Sequence, residues 1–344
     1  MIRRPLRPAF RLCLSTALAA LLMIPRAAYG RGNELFTEQQ SILLFGGWRH
    51  FISTPTGNFE IPNPPESLPE MGFPLPALAP SGDQFATSFS FPDGFGYGDC
   101  DPTRHTCAKI TPKYKSVMGV YSLRDKVWKF YGDFCSVGSA AFSPDGRKLA
   151  FRVETRIGNP YCRPGDVPPA LQILDLDTGQ LTPVPGSSLV IGNSQLSWSP
   201  DGGYLAVAKY GPEKSPGLIA VIDLGSWTQK VIAEGTDPSW SPKGDWIAYH
   251  AQWNQTCMLI HPDGTGATVV LDLRGRSSGW LFFETSWLLY SATVWSPDGD
   301  TLLLSEGQMD GSDHNVAMLD LATGKITTKS RNGRNVYGWV AEIK

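Results

Sequence analysis

One phrase, repeated along the chain, restricts the fold more than anything else: "AFSPDGRKLAF" from Ala141, "SWSPDGGYLAV" from Ser197, "SWSPKGDWIAY" from Ser239 and "VWSPDGDTLLL" from Val294. Each copy has an aromatic residue, then Ser-Pro-Asp/Lys-Gly, then an alternating apolar run. Proline presets φ, glycine accepts a positive φ and aspartate bonds nearby backbone, so the phrase predicts a hairpin turn between two strands. "LAPSGDQFATSF" from Leu78 is an eroded copy, with Ala79 read at the aromatic position.

A second phrase follows half a repeat later: "VYSLRDKVWKFY", "LQILDLDTGQLTPV", "IAVIDLGSWTQKVI", "MLIHPDGTGATVVL" and "VAMLDLATGKITTK". Each reads strand, turn, strand. A unit therefore holds four strands, a to d, which is one blade of a β-propeller. Gly 36, Pro 28, 11 Trp and 16 Phe suit many short strands around an aromatic core. Pro80, Pro144, Pro200, Pro242 and Pro297 mark five blades, and the chain ends supply a sixth. "SILLFGG", "HFISTPTG" and "NFEIP" read as its strands b, c and d, and "VYGWVAEIK" as its strand a. Shared ends close the ring, where an open ring would leave two sheet faces wet. The expected class is all-β, a six-bladed propeller over residues 41–344, with 31–40 as an N-terminal segment.

Residues 1–30 read as a cleaved export signal. Arg3, Arg4, Arg7 and Arg11 precede the apolar stretch "CLSTALAALLMI", and Ala28-Tyr29-Gly30 offers the small residues that a signal peptidase needs. That stretch is too short to span a bilayer, which takes roughly 20 residues. Removing the segment takes away five arginines and no acid, moving the formal charge from −2 to −7. This mildly acidic product argues against nucleic acid as a partner, and the export signal implies a periplasmic or secreted protein, expected to be a monomer with no transmembrane segment in the mature chain. Export permits disulfides. Cys100 and Cys107 bracket a short closable loop, Cys135 with Cys162 is a second candidate pair, and Cys257, in the apolar run "CMLI", reads as a buried thiol.

The tandem "WSPDG…LA" units, their answering "DG" and "TG" turns and the shared terminal blade resemble the β-propeller domain of the TolB family. The resemblance covers residues 41–344 and not the family's α/β domain. It implies a fold and not one function, since such units also occur in peptidases and carbohydrate-active enzymes with no common chemistry.

Function is expected away from the repeated phrases, whose Phe142, Trp198, Trp240 and Trp295 read as wedges between blades. The b–c loops differ in length and share one face with the d–a connections, the usual form of a recognition surface on a rigid scaffold. They place Glu154, Arg156, Lys209, Tyr210, His250, Gln252, Trp253, Glu306 and His314 at the propeller mouth, with Trp48 and Arg49 from the closing blade. This set predicts a protein or glycan partner and no cofactor. His50, His105, His250 and His314 fall at or near the same face, so the alternative is a divalent metal serving a carbohydrate lyase or hydrolase, although no pair has His-x-x-x-His spacing. "GRSSG" at Gly275 lacks the strand-to-helix elbow of a nucleophilic serine, and "GFGYG" at Gly94 lacks the following helix of a phosphate loop.

Overall fold

The repeated turns close in one way. Ser143 Oγ donates to Asp145 Oδ1 at 2.5 Å and accepts the Lys148 N–H at 2.9 Å, while the Gly146 N–H donates to the Ser143 carbonyl at 2.9 Å. Ser199 repeats the three bonds at 2.5, 2.9 and 2.9 Å. So does Ser296, at 2.6, 2.9 and 2.8 Å. The Ser-Pro-Lys-Gly copy moves its acid two positions on: Ser241 Oγ donates to Asp245 Oδ1 at 2.8 Å. Position 243 is thereby released to a lysine, whose ammonium pairs with Asp300 of the next repeat.

The computed structural model describes residues 33–40, 47–54, 57–64, 68–69, 76–96, 100–101, 106–107, 111–134, 136–153, 171–188, 190, 194–211, 217–251, 253–280, 283–289, 293–308, 314–330 and 334–340. Among these there is no helix, and the strands form antiparallel sheets whose neighbours follow sequence order except where the last strand pairs with the first. The terminal sheet runs 334–340, 33–40, 47–54, 57–61. The second is built on 84–96, 111–122 and 127–134, with Ala77–Leu78 and Leu68–Pro69 both pairing to 84–96. The third runs 137–142, 148–153, 171–175, 181–183, the fourth 197–198, 204–209, 218–223, 229–234, and the fifth 236–240, 247–251, 256–260, 268–272. In the sixth, 294–295 pairs with 301–308, followed by 314–320 and 326–330.

Four details differ from the sequence reading. The strand between 334–340 and 47–54 is Asn33–Gln40, ahead of the expected Ser41–Gly47, of which residues 41–46 lie outside the described residues. The polar run "TEQQ" hid it from a reading that followed the apolar "ILLF". In the eroded copy Leu78 pairs with Phe85 as Phe142 pairs with Leu149, so Leu78 and not Ala79 takes the aromatic position. Ala79 takes that of the turn serine, its N–H on the Gln84 carbonyl at 2.9 Å. Much of the long loop expected after Phe91 continues the ladder, with Pro92 opposite Tyr114 and Gly96 opposite Thr111. The sixth sheet also gains Phe283–Leu289, paired with the far end of 301–308, and Ser277–Trp280 beyond it.

Neighbouring sheets bury their faces against each other. Ala150, Leu171 and Ile173 of the third pack on Trp198, Leu205 and Val207 of the fourth. Ala206, Ile219 and Val221 pack on Trp240, Ile247 and Tyr249 of the fifth, and Ala248 and Leu259 on Trp295, Leu302 and Leu304 of the sixth. The aromatic residues are the wedges expected. The Trp198 indole N–H donates to the Ala141 carbonyl at 3.0 Å and that of Trp295 to the Ser239 carbonyl at 2.9 Å, each reaching the strand of the preceding repeat. Burying the ring while satisfying its one polar atom holds two sheets in register.

Candidate functional site

Strand b of each repeat runs away from its turn, so the b–c loops emerge on the side opposite the Ser-Pro-Asp-Gly turns. In the fifth repeat that loop is tight. Ala251 pairs with Thr256, and Trp253 and Asn254 within it have φ of 56° and 63°. Two successive left-handed residues suit asparagine and glycine and disfavour tryptophan. The strained position is nevertheless occupied by a tryptophan that is 65% exposed. The loop itself is braced: Thr236 Oγ1 donates to Asn254 Oδ1 at 3.1 Å, and the Leu289 N–H donates to the Asn254 carbonyl at 2.7 Å. In the fourth repeat Tyr210 is 57% exposed, and the neighbouring Lys209 Nζ donates to Gln229 Oε1 at 2.7 Å.

Two other expected binding residues point inward. His250 is buried at the end of its strand, Nε2 lying 3.0 Å from Thr293 Oγ1 and Nδ1 3.5 Å from Asp237 Oδ2. Glu306 is buried too, its Oε2 accepting from Arg276 Nη1 at 2.9 Å. These side chains can brace the mouth but offer no surface to a partner in this state. The strand positions that put His250 and Glu306 beside the exposed loops also turn their side chains into the sheet interface, a distinction that loop membership alone cannot make.

Sequence reasoning missed the polar cluster that His250 joins. The Asp237 N–H donates to Ser194 Oγ at 2.9 Å, the Gln195 N–H donates to Asp237 Oδ1 at 3.0 Å, and Gln195 Nε2 donates to the Thr293 carbonyl at 3.3 Å. Residues from three consecutive repeats thus meet where strand a begins. Burial pushes the Asp237 carboxyl up, but His250 and the surrounding donors win and hold it below the ordinary value. Asp237 has φ of 54°, and a side chain at Gly235 would lie 2.3 Å from the His250 carbonyl, so the crossover fits only with glycine there. "GTDPSW" carried the available signal: glycine two residues before an acid, at the start of an inner strand.

Trp48, Arg49 and His50 lie in the strand Gly47–Thr54, and His314 opens His314–Asp320 opposite Gly307. Glu154, Arg156, Gln252 and His105 fall outside the described residues, as do Cys135 and Cys162. Among the described residues no three His, Cys, Asp or Glu side chains are grouped to hold a metal. Ser277 and Ser278 of "GRSSG" belong to a strand paired with Phe283–Leu289. On the opposite side, the inner strands enclose a depression of about 370 Å³ whose rim carries Pro80, Pro144, Pro200, Pro242 and Pro297.

No protein-family model and no curated protein matches the chain. Solved structures do. TolB from Acinetobacter baumannii aligns with a TM-score of 0.62 at 13% identity, over 90% of this chain and 66% of that one. A putative TolB from Agrobacterium tumefaciens gives 0.55 at 15% identity, over 88% and 91%. A chain of a nidogen/laminin complex gives 0.55 at 13% identity, over 89% and 97%. This chain therefore spans just under two thirds of the Acinetobacter protein. At such identities the likeness speaks for architecture alone, and the architecture is that of a TolB-like β-propeller.

Proposed function

We propose that the chain is an exported six-bladed propeller that binds a protein or glycan partner on its b–c loop face. The observation that carries this is Trp253: a ring left largely in solvent on a braced loop, at a backbone conformation that disfavours it. Strain kept in a rigid setting is characteristic of positions selected for contact rather than stability, and exposed aromatics are the commonest anchors of interfaces. Tyr210, on the adjacent repeat, supplies a second anchor. Lys209 and Arg276 add charge for orientation.

Ring closure by the two chain ends is supported by Arg334–Val340, which pairs with Asn33–Gln40 and also touches Ala77–Leu78 of the second sheet and Val294–Trp295 of the sixth. Export is supported by the composition of the first 30 residues, and among the described residues no helix is long and apolar enough to cross a membrane. Cys100 and Cys107 are register partners in a two-stranded ladder, which favours a disulfide between them. The TolB and nidogen/laminin folds set a precedent for propellers in interaction proteins. A photo-crosslinking side chain placed at 253 in the exported protein should capture a partner that the same probe at Arg147, on the turn side, does not. Equal capture from both positions, or from 147 alone, would place binding elsewhere.

A further inference from the structure

On the turn side, the cleft between the fourth and fifth sheets opens into a groove of about 840 Å³ lined by Asp201, Tyr204, Asp223, Lys230, Trp240 and Asp263. The equivalent level of the fifth repeat is filled from within. Trp246, one residue before the Ile247 and Ile260 pair, stacks on His261 at 3.8 Å and 23°. Tyr204, one residue before the Leu205 and Ile222 pair, stands opposite Asp223 instead. Aspartate cannot cover a ring as histidine does, so Tyr204 leans onto Trp240 of the next sheet at 6.2 Å and 29° and stays 39% exposed.

We propose that this groove binds an arginine-bearing segment of a partner protein, the guanidinium lying on Tyr204 between the carboxylates of Asp201 and Asp223. The argument is charge complementarity around an aromatic face. Asp201 uses Oδ1 for its turn, accepting from Ser199 Oγ at 2.5 Å and the Gly203 N–H at 2.9 Å. Asp223 uses Oδ1 likewise, accepting the Gly225 and Ser226 N–H groups at 2.8 and 2.9 Å. These bonds hold both carboxyls below the ordinary range, so both are ionised at neutral pH. Neither makes an ion pair with a described residue. Of the nearby cations, Lys243 pairs with Asp300, while Lys230 Nζ donates to the Asp263 carbonyl at 2.8 Å, which holds its ammonium at Asp263 without neutralising it. Two unmatched charges flanking an open ring match a planar cation that both stacks and donates. A neutral sugar would use the ring and leave the charges unmet. The groove lies on the side opposite Trp253 and does not rest on the role given to that residue.

The probe is the peptide acetyl-Gly-Arg-Gly-Arg-Gly-amide, titrated into the mature protein by calorimetry at about 20 mM and about 500 mM salt. Binding is expected at low salt, with affinity falling at least about tenfold in high salt, in Tyr204→Ala and in the double variant Asp201→Asn/Asp223→Asn. Tyr204→Phe and Trp253→Ala should bind as the parent does. Asparagine keeps the Oδ1 acceptor that each turn needs but not the charge that the turn stabilises, so the double variant should fold and melt somewhat below the parent, and its affinity, read well below that midpoint, reports the charge. The proposal is overturned if the peptide does not bind, if a citrulline analogue binds equally, if the double variant keeps full affinity, or if Trp253→Ala abolishes binding. It is equally overturned if chitotetraose, and not the peptide, binds in a Tyr204-dependent way.

Discussion

Trp253 and Asn254 stand side by side at the tip of one hairpin, both left-handed, with φ of 56° and 63°. Asparagine tolerates that region and tryptophan does not, at a cost of roughly 1–2 kcal/mol. Trp253→Gly should therefore hold or raise stability, by up to about 1 kcal/mol once the entropy of the unfolded glycine is counted. The same change should abolish partner capture by a photo-crosslinking side chain placed at 210 on the same face. Urea denaturation alongside capture separates the two effects, and a clear loss of stability would mean that the indole packs structurally.

The Trp295 ring should behave in the opposite way. It is buried, and its N–H reaches the Ser239 carbonyl of the preceding repeat. Trp295→Ala should cost about 3–5 kcal/mol. In Trp295→Phe most of the ring volume remains, and the larger part of the loss should be the unpaired carbonyl, about 1–3 kcal/mol. Neither change should alter capture by the folded fraction. An alanine variant as stable as the parent would remove these rings from their role as wedges.

Acid should weaken the fold through many small contributions with the same sign. Asp145, Asp201, Asp223, Asp298 and Asp320 each accept hydrogen bonds within their own turn, and these hold their carboxyls below the ordinary value. Asp237 is depressed as well, by His250 and its donors, against the upward push of burial. A depressed folded pKa contributes stability above the unfolded value, about 3.9, that is lost as pH falls through the folded one. Stability from these groups should be level above about pH 5 and decline below about pH 4. Asp237→Asn should make that decline shallower. Chemical denaturation across pH checks both, and an increase in stability on acidification would contradict the assignment.

Cys257 is fully buried, and burial pushes its thiol up to about 12, with Thr293 pulling weakly the other way. At pH 8 it is therefore both inaccessible and almost entirely protonated. Iodoacetamide should label it at the rate of global unfolding and no faster, so labelling should accelerate in step with urea-induced unfolding. Rapid labelling of the native protein would show that the interface between the fifth and sixth sheets opens locally.

The repeats made the fold legible because each turn is built from residues with a single geometric use. Ser143, Asp145 and Gly146 close their turn with the same bonds as Ser199, Asp201 and Gly202, and the letters report that directly. The terminal strand Asn33–Gln40 was not legible, because backbone pairing carries no hydropathy signal and the apolar residues beside it made a better-looking strand. The candidate site was legible in part for a related reason. Sequence placed Trp253, His250 and Glu306 at one end of the sheets, which follows from strand order. Whether a side chain there faces solvent or the next sheet depends on its register relative to a neighbouring repeat, and the cluster of Gln195, Asp237, His250 and Thr293 is made across two such boundaries.

Closure of the ring can be tested at the strand that joins the ends. Arg334–Val340 pairs with Asn33–Gln40 through six register partners, interrupted by an irregularity after Leu35. If this strand only decorates an edge, removing it should fray one sheet and leave the rest intact. As the inner strand of a closing blade, it contributes both the ladder to 33–40 and the contacts to the second and sixth sheets, and its loss exposes two interfaces together. Deleting residues 334–344 should then lower the stability of the whole protein by several kcal/mol, a large share of the roughly 5–15 kcal/mol that holds a folded domain. Thermal melting should remain a single transition at a much lower temperature, because each remaining sheet loses a neighbour in turn. A truncated protein melting within about a degree or two of the parent would rule out closure by the chain ends, since for a domain of this size a loss of 1 kcal/mol already shifts the midpoint by roughly 2 °C.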